Sequence, residues 1–146
     1  MTTTAPHIRL VLWKAAKAVE TVDRASIADT GLQLSEFQIL EVLLNKGPLP
    51  VNTIGEKVLL TSGSMTAAAN RLERKGLVRR VRDPADGRRL HVHLTGAGRK
   101  VIEQAYAAHA RNLEQVAAVL TGAERDRLLE LLKKLGKHAQ RLGAEK

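Results

Sequence analysis

The sequence predicts a mainly α-helical fold carrying one small β-hairpin, and three observations predict it. The 146 residues are 44% hydrophobic but only 2% aromatic, so Leu, Val and Ala must fill the core, a mixture that favours helices over strands. Apolar side chains recur three and four residues apart near both ends, through Ile8, Leu12, Ala15, Val19 and Val22 and again through Leu128, Leu132, Leu135, Ala139 and Leu142. One stretch breaks that period. "RRVRDPADGRRLHVHLT" (79–95) places β-branched and apolar residues on either side of a turn made by Asp83-Pro84 and Asp86-Gly87, the pattern of a hairpin. The length suits one domain, residues 1–146, with a core of its own.

The elements follow in order. Pro6 in a first turn opens a helix over 6–29, stopped by Gly31. Ser35 with Glu36 caps a second helix, whose Phe37, Leu40, Val42, Leu43 and Leu44 are expected to be mostly buried, and Gly47-Pro48 ends it. "PLPVNTIGEKVLL" reads as a short extended piece and then one short helix with Ile54, Val58 and Leu59 on its apolar side. A fourth helix, 62–75, takes Thr61 or Ser62 as N-cap and Gly76 as its C′ residue. Strands 77–82 and 90–95 form the hairpin, and two long helices, 96–119 and 122–142, complete the chain. Two short helices followed by a hairpin make a winged helix-turn-helix, with its DNA-binding part over about 32–95. The flanking helices, about 6–29 and 96–142, have apolar seams that so small a domain does not cover. A second copy of the chain is the simplest cover.

Charge singles out the same hairpin. The net charge is +9, yet residues 1–70 are balanced, while residues 71–100 carry ten basic side chains against three acidic. A basic block confined to 30 residues is the footprint of a polyanion, although a solvated surface alone can also be basic. In a helix-turn-helix the second helix enters the major groove. Here its outer face is expected to offer Thr66, Ala67, Asn70, Arg71 and Arg74, while Met65, Ala68, Ala69 and Leu72 face the core. Asn can pair bidentately with adenine and Arg with guanine, and the Thr and Ala methyls can touch thymine. Ser62 and Ser64 at the helix N-terminus suit phosphates. Arg82, Arg88 and Arg89 of the wing would reach the minor groove, with Asp86 orienting the Arg88 guanidinium.

"LSEFQILEVL", "TSGSMTAAANRLERKGLVRR" and "DPADGRRLHVHLTGAGR" resemble the multiple-antibiotic-resistance regulator (MarR) family of transcription factors. The last stretch matches the family's Asp-x-Arg wing and the Leu-Thr-x-x-Gly that follows it. The resemblance covers 31–99 by motif and the whole chain by helix order. It implies a homodimer joined through the terminal helices and bound to an inverted-repeat operator in double-stranded DNA, with Asp86 and Arg88 as the wing pair and positions from Ser62 to Arg71 on DNA. It also implies a repressor released by a small aromatic effector, and "NKGPLPVNTIGEKVLLTSGSMT" looks closest to the branch answering quinones and phenols, though Asn45 stands where that branch commonly has His. Trp13 and Phe37 are the aromatic walls expected of any such pocket, although core or interface is the plainer place for both. A nonspecific architectural DNA binder, held by charge alone, is the alternative.

Other chemistries find little footing. Without cysteine the chain has no disulfide, no thiol-based peroxide sensor and no Cys-ligated zinc. His91 and His93 have a spacing usable by zinc, but no acidic residue adjoins them in sequence, so no metal and no cofactor are expected. Gly96-Ala97-Gly98 has Val101 where a dinucleotide loop needs its third glycine. No nucleophile constellation or carboxylate pair argues for an enzyme. No leader or membrane span is read, so a cytoplasmic protein without membrane partners is expected.

Overall fold

The computed structural model of the chain describes residues 3–58 and 60–145. Its elements are α1 (Ala5–Ala28), α2 (Leu34–Lys46), β1 (Leu49–Pro50), α3 (Val51–Lys57), α4 (Ser62–Arg74), β2 (Val78–Arg82), β3 (Leu90–Leu94), α5 (Gly96–Ala117) and α6 (Gly122–Ala144). The order is the expected one, and no boundary moves by more than two residues. The apolar role expected of Leu59, and Met1 and Thr2 of the leader reading, lie outside the described residues.

Local chemistry sets the ends. Thr4 caps α1 by accepting from the His7 N–H at 3.3 Å, and Gly31 leaves the helix at φ +80°, where a side chain would be strained. The start of α2 differs from expectation. Gln33 is the N-cap and Ser35 already lies inside the helix, while the Glu36 carboxylate reaches back to accept from the Gln33 N–H at 2.9 Å. An acid three residues into a helix serves its free N–H groups as well as a cap does. The extended piece before α3 is a true strand. It joins the hairpin in an antiparallel sheet ordered β1-β3-β2, with Leu49 opposite Val92 and Arg80 opposite the same residue from the other side. Pro50 has no N–H to give, which suits its place on an edge.

The core lies where α2, α3, α4 and the sheet meet. Phe37, Ile39, Leu40, Ile54, Leu72 and Val92 are all essentially inaccessible there, whereas Val42 and Leu44 are only half-buried. Thr95 ties the sheet to the helices on both sides. Its hydroxyl donates to the Gly76 carbonyl at 2.7 Å and accepts from the Gly98 N–H at 3.0 Å, while its own N–H reaches Leu77 O at 3.1 Å. Gly98 is pressed so closely on Leu77 that a Cβ would overlap the Leu77 carbonyl. That contact explains why glycine follows Leu94-Thr95 at this interval.

Two compact units are distinguished, Met1–Asn112 and Leu113–Lys146, so the division falls inside α5. In the second unit a capping box opens α6. Thr121 Oγ1 accepts from the Glu124 N–H at 3.2 Å, and a Glu124 carboxylate oxygen accepts from the Thr121 N–H at 2.9 Å. The Thr121 backbone N–H, joined by its side chain, holds the Glu124 carboxyl below its ordinary value. Arg125 closes the turn by donating to the Ala117 carbonyl at 3.2 Å and pairing with Glu114 at 2.9 Å.

Candidate nucleic-acid interface

Helix α4 buries Met65, Ala68, Ala69 and Leu72, as its period requires, and turns Thr66, Ala67, Asn70 and Arg74 to solvent. Thr61 caps it, accepting from the Ser64 N–H at 3.2 Å and donating to Ser64 Oγ at 3.0 Å. Thr66 Oγ1 is turned back onto the Ser62 carbonyl at 2.9 Å. Gly76 closes the helix at φ +73°.

Arg71 is turned towards α2, with 29% of its side chain exposed. Its Nη2 donates to Ser35 Oγ at 3.1 Å, and its Nε lies 3.9 Å from a Glu36 carboxylate oxygen. Lys75, one turn on, pairs with the same carboxylate at 2.8 Å. The reason is angular: Arg71 and Lys75 flank the Ala68–Leu72 stripe rather than oppose it, so they lie along α2. Glu36 is 0% exposed, and a carboxylate taken out of water needs such partners. Sequence reading missed this clamp. An Arg and a Lys four apart beside a core stripe, with one buried acid to meet, was the available signal.

The other flank of α4 is held by the wing. Strand alternation sets Arg80 on the same side of β2 as the buried Val78. From there Arg80 Nη2 donates to Asn70 Oδ1, and its Nε lies 3.7 Å from Glu73 Oε2. Helix α4 is thus gripped from both sides, and only a narrow strip around Ala67 and Arg74 has no such partner among the described residues.

The wing turn is built from carboxylates that bind backbone. Asp83 Oδ1 accepts from the Ala85 N–H at 2.9 Å, and Asp86 Oδ1 accepts from the Arg88 N–H at 3.1 Å. Asp86 was expected to orient the Arg88 guanidinium. Its recorded partner is the Arg88 backbone instead, so the acid shapes the turn, as Asx geometry does. Arg82 Nη1 braces the tip by donating to the Gly87 carbonyl at 2.6 Å. His91 turns to Asp83, 3.5 Å away, rather than to His93, and no described group of three or more His, Cys, Asp or Glu side chains could hold a metal ion. Arg74, Arg79, Arg88 and Arg89 are exposed and have no carboxylate partner among the described residues. A cleft of about 600 Å³ runs between α3, α4 and the wing, lined by Asn52, Ser62, Thr66, Arg88 and Arg89 among others. Hydroxyls, a helix N-terminus and two free guanidiniums converge there, the groups that hold a phosphate backbone.

The two expected pocket aromatics are not brought together. Phe37 is 1% exposed and packs edge-on against His109, with ring centroids 4.8 Å apart. Trp13 is 62% exposed on α1, and the Arg9 guanidinium lies 4.3 Å over its ring. Phe37 is a core residue because it lies on the buried stripe with Leu40. A half-open recess of about 340 Å³ lies between α1 and α5, lined by Ser26, Asp29, Thr30, Val101, Gln104 and Asn112 among others. Its rim is ordered by Asn112 Nδ2 donating to Ser26 Oγ at 2.8 Å. Close by in sequence, His109 is buried on the Ile102–Ala105 stripe, with Nε2 3.0 Å from Asp23 Oδ1. Burial pushes the Glu41 carboxyl up, His109 pulls it part of the way back, and the Asp23 charge adds to the rise.

Comparison with known proteins bears on the whole arrangement. Residues 30–89 match the model of the MarR family. The uncharacterized HTH-type transcriptional regulator YkoM of Bacillus subtilis is 38% identical over 130 residues, covering 87% of this chain and 84% of its own. The HTH-type transcriptional regulator MhqR of the same organism is 32% identical over 140 residues, covering 96% and 97%. Among solved structures, NadR in complex with 4-hydroxyphenylacetate superposes with a TM-score of 0.77 at 26% identity, over 95% of this chain and 98% of that one.

Proposed function

The chain belongs to the MarR family of DNA-binding transcription regulators, and we propose that it acts as a homodimeric repressor on an inverted-repeat operator. The observation that carries this reading is the convergence of the basic block on one surface. The outer strip of α4, the cleft beside it and the wing tip present Arg74, Arg88 and Arg89 with no carboxylate partner among the described residues. Ser62 and Ser64 take phosphates, Arg74 and Asn70 face the major groove, and Arg82, Arg88 and Arg89 follow the minor groove. The exposed seams of α1 and α6 supply the dimer contact within a single domain, and two-fold protein reads two-fold DNA.

We further propose relief by a small phenol or quinone. The support is the solved complex of NadR with 4-hydroxyphenylacetate and the recess between α1 and α5, where Val101, Ala105 and Ala108 lie among amide and hydroxyl groups and the Asp29 carboxylate can accept from a phenol. A ligand there reaches DNA affinity only by favouring one spacing of the two reading heads.

The test is protection mapping on the DNA upstream of the gene, followed by affinity against salt. Specific binding should protect two half-sites about one helical turn apart. On the order of 6–10 phosphates should be neutralised, so affinity falls steeply with salt. Equal affinity for operator and scrambled duplex at every salt concentration would leave an architectural binder instead. A panel of phenols and quinones that never loosens the operator would leave a constitutive regulator.

A further inference from the structure

Three cations, Arg71, Arg74 and Lys75, close the C-terminal end of α4, and one residue of another helix divides them. Arg74 is exposed and has no carboxylate partner among the described residues. Lys75 places its Nζ 3.0 Å from Glu36 Oε1 and 2.8 Å from Oε2. Arg71 leans the same way, donating to Ser35 Oγ at 3.1 Å with its Nε 3.9 Å from Glu36 Oε2. Glu36 lies in the first turn of α2 and is itself 0% exposed. The meeting suits both helices, because a helix N-terminus favours a carboxylate and a C-terminus favours cations.

The consequence concerns charge. A cation that reaches a phosphate raises affinity for every duplex alike, since it releases a counterion whatever the sequence. Three untethered cations at one end of the reading helix would therefore strengthen the grip on all DNA without improving the choice. Glu36 answers part of that charge and draws both side chains along α2. Burial alone does not restrain them, for Lys75 keeps 44% of its side chain exposed. The restraint is the carboxylate.

We propose that Glu36 is a specificity-determining residue: by tethering Arg71 and Lys75 it limits sequence-independent attraction to phosphates and so widens the margin of operator over other DNA. The proposal rests on the operator-reading function above, and the experiment separates the two. Binding of the full-length protein to operator and to a scrambled duplex is measured against salt. Glu36→Gln keeps the side-chain volume and the reach back to the Gln33 N–H, and it removes the charge. Affinity for the scrambled duplex should rise about tenfold, and the log–log salt slope should steepen by about 1 for each cation released. The operator-to-scrambled ratio should fall. Adding Lys75→Met to Glu36→Gln should undo most of that steepening. Lys75→Met alone should change the scrambled-duplex slope little, because its charge is already answered, whereas Arg74→Met alone should lower the slope by about 1. This last pair leaves Glu36 intact and decides the matter if Glu36→Gln folds poorly.

An unchanged slope and ratio in Glu36→Gln overturns the proposal. So does weaker binding to both duplexes by one factor, which would make Glu36 a contact of the fold alone. Equal effects of Lys75→Met with and without Glu36→Gln would also overturn it, since a lost negative charge acting through the general field is additive with Lys75. With Glu36 intact, the overturning result is an equal loss of slope from Lys75→Met and Arg74→Met. A wild-type chain that does not distinguish operator from scrambled DNA removes the operator-reading function itself, and that result is visible before any variant is made.

Discussion

Helices α4 and α6 carry the same pattern, apolar side chains three and four residues apart, but the two faces are completed in different places. In α4 the stripe of Met65, Ala68, Ala69 and Leu72 is sealed by the chain's own core, and both flanks are tied down, one to Glu36 and the other to Arg80. In α6 no described residue is buried, and Leu128 and Leu132 remain 45% and 41% exposed. Helix α1 resembles α6, with Ile8, Val11, Leu12 and Val19 in water over its first five turns. The difference teaches that amphipathic period identifies a face that must be covered without saying what covers it. A closed face yields a rigid reading head, and an open one implies a partner.

Breaking the open face should have the largest effect. Burying each leucine of the seam supplies about 1.5–3 kcal/mol, and a charge in its place must be desolvated. Replacing Leu128 and Leu132 together with lysine should therefore take the protein from about twice the 15.9 kDa chain mass to a single chain in sedimentation, and operator binding should go with it. An unchanged dimer would place the interface elsewhere.

The closed face should answer in the opposite way. Leu72→Ala leaves a cavity in a sealed core and should cost about 2–5 kcal/mol in urea unfolding. The assembled mass should not change. A variant that lost stability only by dissociating would show that α4 also depends on the partner.

A smaller effect distinguishes shape from charge in the wing. Because Asp86 accepts from the Arg88 N–H, Asp86→Ala should weaken operator binding a few-fold, in line with the ~0.5–1.5 kcal/mol of one such hydrogen bond. Asp86→Asn keeps the acceptor and drops the charge, so it should bind at least as well as wild type in a gel-shift titration. Tighter binding by the alanine variant would reduce the acid to a repulsive charge.

The smallest effect lies where α1 meets the reading head. The Glu41 carboxyl is raised above 4.5 in the folded chain, chiefly by burial, so folding favours its protonated form. Its contribution to stability is fully present below 4.5 and is lost as pH rises through the folded value. Glu41→Gln should therefore flatten the fall in urea midpoint over the window just above 4.5, and remove the cost of the buried carboxylate at neutral pH. A slope identical to wild type would mean that the carboxyl is solvated in practice.

Most of the architecture was legible because it rests on local rules. Period placed Met65 and Leu72 inside, turn residues placed the hairpin, and Gly31 and Gly76 ended the helices where positive φ was needed. Side-chain partners were less legible, since they depend on residues far apart in sequence. Arg71 meets Glu36 across 35 positions, and Asp23 meets His109 across 86, distances over which no spacing rule operates. Phe37 was read as a mostly buried residue of α2, with a pocket wall as its alternative, and it lies in the core at 1% exposure. Asp86 was read as the partner of a guanidinium, because sequence proximity suggests a pair but does not say which atom of the neighbour is in reach.

By itself the sequence determined the element order, the core stripe of each helix, the basic block and the two uncovered seams, because each follows from side-chain periodicity or from counting charge. Only the tertiary structure decided which of those charges are free. It committed Arg71 and Lys75 to one buried carboxylate, turned Arg80 onto Asn70, and left Arg74, Arg88 and Arg89 without such partners among the described residues. The physical reason is that a charged group near a core takes the partner that packing brings within hydrogen-bond reach. Packing is a property of elements meeting in space, and no single element carries it.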